Sequence, residues 1–155
     1  MKKIFLSLAT LAIFSCSSDN NSDNAQSSTD KIIGKWFWGK EVYILEDNSE
    51  YEFPANSCTL MTSTEFKADG TVKQIDYYEN GSGGCDLETE ILEYGYWTKL
   101  SENTYKIVSK YPNEAEETQI ETIEFTNENQ FRYVSHNSGI YNGQNIATEY
   151  EYRNK

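Results

Sequence analysis

The sequence predicts an all-β fold: an antiparallel up-and-down meander of about eight strands that closes into a barrel. Three observations predict it. Runs rich in Thr, Val, Ile, Phe and Tyr recur over 36–45, 59–67, 71–79, 87–98, 104–110, 117–126, 130–136 and 145–152, parted by Asn, Asp, Gly and Ser. No segment holds a helical period over three turns. The connections are short, so neighbours in sequence become neighbours in the sheet, and closure removes the exposed edges.

The chain opens with Met1-Lys2-Lys3 and an apolar run from Ile4 to Phe14 broken only by Ser7 and Thr10. A short basic start and about 7–15 apolar residues make a secretory signal peptide. A bilayer span needs about 20 apolar residues, so the run is too short for a membrane helix. It ends Leu11-Ala12-Ile13-Phe14-Ser15-Cys16, which resembles the lipobox of bacterial lipoproteins. The resemblance implies a signal peptide over 1–15, cleavage before Cys16, and a lipid on Cys16 that anchors the chain in the outer membrane of the cell envelope. Each buried acyl methylene contributes about 0.8 kcal/mol, so two or three chains hold a protein stably. An ordinary signal peptide with a free Cys16 is the alternative. Three cysteines argue against it, because lipidation of Cys16 leaves Cys58 and Cys85 as a pair.

Residues 17–30 are mostly Ser, Asn, Asp and Gln and bury too little to offset their chain entropy, which predicts a flexible tether. The Ser17-Ser18-Asp19-Asn20 start resembles the surface-export signals of some lipoproteins, or is a plain spacer. Residues 31–155 then form one domain with one core. Asp30 is placed to cap a single turn before Gly34.

The best-determined stretch runs from Cys58 to Cys85. Ala68-Asp69-Gly70 separates two strand-like runs, and Gly70 supplies the positive φ of a three-residue loop. Pairing Lys67 with Thr71 sets Phe66 opposite Val72 and Glu65 opposite Lys73, an apolar pair on one face and a charge pair on the other. The same register carries Cys58 level with Asn80, and the glycines of 81–84 let Cys85 return to it. An exported chain meets an oxidising compartment, so a Cys58–Cys85 disulfide is expected, with two buried thiols as the competing reading.

Ile33-Gly34-Lys35-Trp36 resembles the Gly-x-Trp signature of lipocalins. Thr64-Glu65-Phe66-Lys67-Ala68-Asp69-Gly70-Thr71 between the two cysteines, then Gly95-Tyr96-Trp97 and Thr104-Tyr105-Lys106-Ile107, resemble the lipocalin-like domain of secreted bacterial lipoproteins. The resemblance covers about residues 31–134. It implies an up-and-down barrel, a small cavity, and an arginine, Arg132 or Arg153, packed on Trp36. Trp36, Phe66, Trp97, Phe125 and Phe131 are the expected cavity or core residues.

Little in the chain points to catalysis. His136, the single histidine, sits in His136-Asn137-Ser138-Gly139, read as a solvated turn with no nucleophile motif around it. One His and two oxidised Cys do not make a zinc site, so no metal or cofactor is expected. Carboxylate pairs such as Glu88 with Glu90 and the 114–117 cluster are read as chance products of an acidic composition. Calcium at Asp47-Asn48-Ser49-Glu50 lacks the spacing of a calcium loop. The net charge of −12 becomes −14 once Lys2 and Lys3 leave with the signal, which disfavours nucleic acid.

Two function classes remain. One is a non-catalytic, membrane-anchored binding module for a small apolar or amphipathic ligand. The other is a structural or accessory surface protein with a packed barrel that meets a protein or glycan through its outer face. Cavity volume discriminates them, since ligand pockets run from roughly 300 Å³.

Overall fold

A computed structural model describes residues 29–88 and 92–155. The strands are β1 (Gly34–Leu45), β2 (Glu50–Pro54), β3 (Ser63–Phe66), β4 (Val72–Ile75), β5 (Tyr77–Glu79), β6 (Cys85–Leu87), β7 (Tyr94–Lys99), β8 (Thr104–Lys110), β9 (Glu117–Asn127), β10 (Gln130–Tyr141) and β11 (Gln144–Asn154). A 3-10 turn, Thr59–Met61, precedes β3. The antiparallel sheet runs β4-β3-β1-β11-β10-β9-β8-β7, with β2 also on β1. Pairing of the first long strand with the last curls the sheet round. Its ends β4 and β7 then meet at the base, where Thr71 bridges Tyr96 and Trp97 N–H donates to Gly70 O at 2.8 Å. The barrel is therefore nearly closed.

Two glycines permit this curvature. At Gly39 β1 slips one residue against β11, between Trp38 and Lys40. A Cβ there would stand 2.4 Å from Asn154 Nδ2 and 3.1 Å from Tyr152 O, so a side chain at the bulge would have to displace Asn154 and press on the Tyr152 carbonyl. The slip changes which residues of β1 face inward. Trp36 and Trp38 do so before it, Glu41 and Tyr43 after it, opposite Glu151 and Glu149. At the seam, a Cβ on Gly95 would meet Val72 Cβ and Val72 O at 3.1 Å, so β4 and β7 approach because that side chain is missing.

The core fills the base of the barrel. Ile32, Trp36, Phe66, Val72, Trp97, Tyr105, Ile123 and Phe131 are buried, and Phe125 and Tyr133 pack half-buried against them. The polar heads of the buried Trp36, Trp97 and Tyr105 are satisfied, as burial of Trp and Tyr requires. Trp36 Nε1–H donates to Ile32 O at 2.6 Å, and Trp97 Nε1–H to Lys67 O at 2.9 Å. The Tyr105 hydroxyl donates to Asp30 Oδ1 at 2.9 Å.

Asp30 caps a turn, not a helix: its Oδ1 accepts from Ile32 N–H at 3.0 Å, and Lys99 Nζ lies 2.8 Å from Oδ2. Burial pushes this carboxyl up, but the hydrogen bonds from Lys99, Ile32 and Tyr105 outweigh it and hold the group below the usual range. A lowered folded pKa means stability present above the unfolded value and lost as pH falls through the folded one. Asp30→Asn is expected to cost about 1.5–3 kcal/mol at pH 7, the worth of hydrogen bonds to a charged group. Urea melts should show this difference shrinking in acid; a constant difference from pH 7 to pH 3 would refute the assignment.

The hairpin register stands as read. Phe66 pairs with Val72, Glu65 with Lys73, and Lys67 N–H donates to Thr71 O at 2.9 Å. The extension of that ladder to Cys58 and Asn80 is corrected, as is a strand over 59–67. Asn56 Oδ1 takes the N–H groups of Cys58 and Thr59, at 3.0 and 2.8 Å, and winds the segment into the 3-10 turn. The ladder stops at Ser63–Ile75, and β5 turns away to pair with β6. The expected strand 71–79 is therefore two strands; of the strand expected over 87–98, Leu87 ends β6, 94–98 lie in β7, and 89–91 lie outside the described residues. β2 is a strand that composition does not single out. The strand expected over 130–136 continues to Tyr141, and His136 lies within it, exposed, its Nδ1 3.2 Å from Thr148 Oγ1.

Candidate functional site

Above the core the barrel holds a chamber of about 350 Å³. Its floor is Phe66, Val72, Ile107 and Tyr133. Its walls come from alternate residues of two long strands: Glu117, Gln119 and Glu121 of β9, and Glu149, Glu151 and Arg153 of β11. Side chains alternate across a strand, so the residues between them face out. Ile120 is accordingly 58% exposed. On the outer face Arg132 lies 3.8 Å from the Tyr150 ring centroid and Lys40 Nζ 5.1 Å from that of Tyr152. Strand β9 is thus apolar inside at Ile123 and Phe125 and polar inside from Glu121 to Glu117.

Among the described residues Arg153 is the one basic side chain on the chamber wall. It is 8% exposed and stacks on Trp38, its guanidinium carbon 4.1 Å from the ring centroid. Its Nη2 pairs with Glu151 Oε1. Among the described residues, Arg153 Nε and Nη1 are the buried side-chain atoms with no hydrogen-bond partner. The arginine expected on Trp36 is therefore found one position along the face. Trp36 instead carries Lys155 Nζ at 4.6 Å, while Arg132 turns outward.

Burial raises the Glu121 carboxyl above its ordinary value. Burial also raises Glu151; Arg153 opposes this, and the charges of Glu41 and Glu121 add to it. The Tyr133 hydroxyl is raised by burial, and that of Tyr43 is pushed up to about 12 by burial and then by Glu41. A carboxyl with a raised folded pKa destabilises the fold where it is ionised, and the cost vanishes below its unfolded pKa. Glu121→Gln is expected to raise the melting temperature at pH 7. The two proteins should converge as pH falls towards about 4. A variant less stable at pH 7 would show that Glu121 has a stabilising partner.

Of the residues expected at a cavity or core, Trp36, Phe66, Trp97 and Phe131 are buried in the base and Phe125 is half-buried beside them. Phe66 alone of the five touches the chamber. Cys58 and Cys85 form the disulfide, with Cα atoms 5.3 Å apart. Cys16, the signal segment 1–15 and the tether as far as residue 28 lie outside the described residues. The polar wall was not anticipated. Its signal is the alternation Glu149-Tyr150-Glu151-Tyr152-Arg153, which fixes two faces without saying which is inner. Asp47, the calcium candidate, is used within its own turn: its Oδ1 accepts from Ser49 N–H at 2.9 Å. Among the described residues no three His, Cys, Asp or Glu side chains converge as metal ligands.

No protein-family model matches the chain, and no curated protein matches it.

Proposed function

We propose that the chain is a lipocalin-like, membrane-anchored lipoprotein of the cell envelope. It is a non-catalytic module that receives a small amphipathic ligand in its barrel. The observation that carries this is the two-layered interior. The base is filled by aromatic rings, while above it about 350 Å³ remains, within the range of ligand pockets. The polar wall over an apolar floor favours an amphipathic ligand, head in the chamber, over a wholly apolar one. The lipid on Cys16 and the outer-membrane location rest on the lipobox resemblance, and the disulfide is in keeping with export.

Native mass spectrometry of the protein released from membranes in mild detergent tests both parts. A diacylglyceryl mass on an N-terminal Cys16 is expected, together with a non-covalent adduct. Ser109→Phe, which fills the chamber from β8, should remove the adduct and leave the lipid. An unmodified secreted form sinks the anchor. An adduct unaffected by Ser109→Phe, or no adduct at all, sinks the chamber as the binding site and leaves the packed barrel as a surface-contact protein.

A further inference from the structure

The barrel wall is split between β9 and β10. The two strands pair only from Asn127–Gln130 to Ile123–Tyr133, although β9 begins at Glu117 and β10 runs on to Tyr141. In an antiparallel ladder alternate residues turn both N–H and C=O to the same neighbour. Ile123 N–H donates to Asn103 O on the β8 side, so Glu121, Gln119 and Glu117 turn to β8 as well. Thr118 and Ile120 turn their backbone groups the other way, beyond the end of the β9–β10 ladder, and among the described residues no strand pairs with them there. Both residues are exposed, so the edge lies open to solvent. Edge strands are ordinarily blunted by proline, lysine, a bulge or shortness. β2 is short and ends in Pro54, and β10 bulges between His136 and Gly139. The open edge of β9, Glu117-Thr118-Gln119-Ile120-Glu121, has no such device and keeps an unbroken register against β8. It carries two glutamates instead. A second copy adding antiparallel about Gln119 would set Glu117 against Glu121, and like charges directly opposite are unfavourable. The net charge of −12 adds to that repulsion. A strand with basic residues at the interval of the two glutamates meets complementary charge.

We propose that the open edge of β9 docks an extended basic segment of another protein, which adds to the sheet as an antiparallel strand. Its backbone pairs with Thr118 and Ile120, and its basic side chains lie opposite Glu117 and Glu121. Glu117 keeps the hydrogen bond that Gln119 Nε2 donates to it at 3.0 Å, because a carboxylate accepts several. Backbone pairing supplies the affinity, and the two glutamates choose the partner and reject a second copy. This surface goes beyond the ligand reading of the chamber and does not depend on it.

The test uses an acetylated, amidated Lys-Val-Thr-Val-Lys peptide, whose lysines have the spacing of Glu117 and Glu121 and whose valines fall opposite Thr118 and Ile120. Binding to the full-length chain in neutral detergent is followed through the backbone amide resonances of β9 and β10. The peptide should shift the Thr118 and Ile120 amides and slow their hydrogen exchange. It should bind at least about tenfold more tightly than Glu-Val-Thr-Val-Glu, and the advantage should fall with salt. Methylating both valine nitrogens removes the donors that face β9 and should abolish binding, whereas methylating the threonine nitrogen should not. Glu117→Lys, an exposed change that is expected to fold, should lose most of the preference for the lysine peptide. Equal binding of the two methylated peptides overturns strand addition. Equal binding of the glutamate peptide overturns the basic partner. Protection at Val134 and His136 in place of Thr118 and Ile120 overturns the assignment to β9. Protection of Thr118 and Ile120 that grows with protein concentration alone overturns it in favour of a second copy. No shift up to about 10 mM peptide, where even a ~1 mM site is mostly filled, overturns the proposal. The chamber reading falls only on the adduct measurement above.

Discussion

Trp36→Ala is expected to destabilise the fold by about 3–5 kcal/mol, the range for emptying a fully buried Trp site. Trp36 has no exposed surface, and the ring sits edge-on to Phe131 at 4.7 Å and 6.2 Å from Phe125. The position has little freedom to collapse around the hole. Gly34 to Phe37 is hydrogen-bonded to Phe66 to Ser63 on one side, and from Phe37 onward β1 is tied to β11. Two further losses add to the cavity. Ile32 O loses the indole N–H, and Lys155 loses its ring. Trp36→Phe separates the terms, because it keeps most of the packing and gives up the hydrogen bond. It should cost about 1–3 kcal/mol, the penalty for an unsatisfied buried group. Denaturant midpoints at unchanged slope measure both. A Trp36→Ala loss below about 1.5 kcal/mol would show that the base is not the main core. Native stabilities are typically about 5–15 kcal/mol, so the expected loss removes a large share of the total.

The base of the barrel was legible in the sequence. Alternation gives two faces, and the resemblance to lipocalin-like motifs names Trp36, Phe66, Trp97 and Phe131 as the inner one; alternation alone is ambiguous where Phe37 parts Trp36 from Trp38 and Tyr96 adjoins Trp97. The Asp69-Gly70 turn was legible because backbone geometry restricts which residues fit it. Gly70 has φ of 84° in the structure. The end of the sheet was less legible. Asn137 adopts φ of 53° within β10, so His136-Asn137-Ser138-Gly139 carries turn chemistry yet forms a bulge inside a strand. The true reversal is Asn142-Gly143, both at positive φ as a type I′ hairpin needs. The chamber wall was illegible for another reason. Alternation separates two faces, and hydropathy then assigns Tyr inward and Glu outward. At 149–153 the assignment is reversed, because Tyr150 and Tyr152 are covered outside by Arg132 and Lys40 while the glutamates turn into the chamber. Nothing local reports that long-range covering, since Lys40 comes from the first strand and Tyr152 from the last.

Loss of the Cys58–Cys85 bridge is expected to cost about 3–4 kcal/mol, from the loop entropy of a link across a sequence separation of 27. The link matters because of what it fastens. β5 and β6 form their own two-stranded sheet with three residue pairs, apart from the main sheet. A two-stranded hairpin is marginal in water unless something holds it. Among the described residues a hydrogen bond ties it to the barrel where Tyr77 N–H donates to Thr62 Oγ1 at 3.0 Å, whereas Glu88 N–H to Asp76 O at 2.8 Å only extends the hairpin's own ladder. Cys58 is 1% exposed beneath the 3-10 turn, so the bridge pins the hairpin to a buried point beside β3. The double variant Cys58→Ser/Cys85→Ser should therefore show two effects. Global stability falls by the stated amount in urea melts. Amide exchange at Tyr77–Glu79 and Cys85–Leu87 accelerates well beyond that global loss, while β9, β10 and β11 follow the global change alone. Dithiothreitol on the unaltered protein should reproduce both effects, which separates the missing bond from the introduced hydroxyls. A loss below about 1 kcal/mol with hairpin exchange unchanged would mean that packing, not the bridge, holds the hairpin to the barrel.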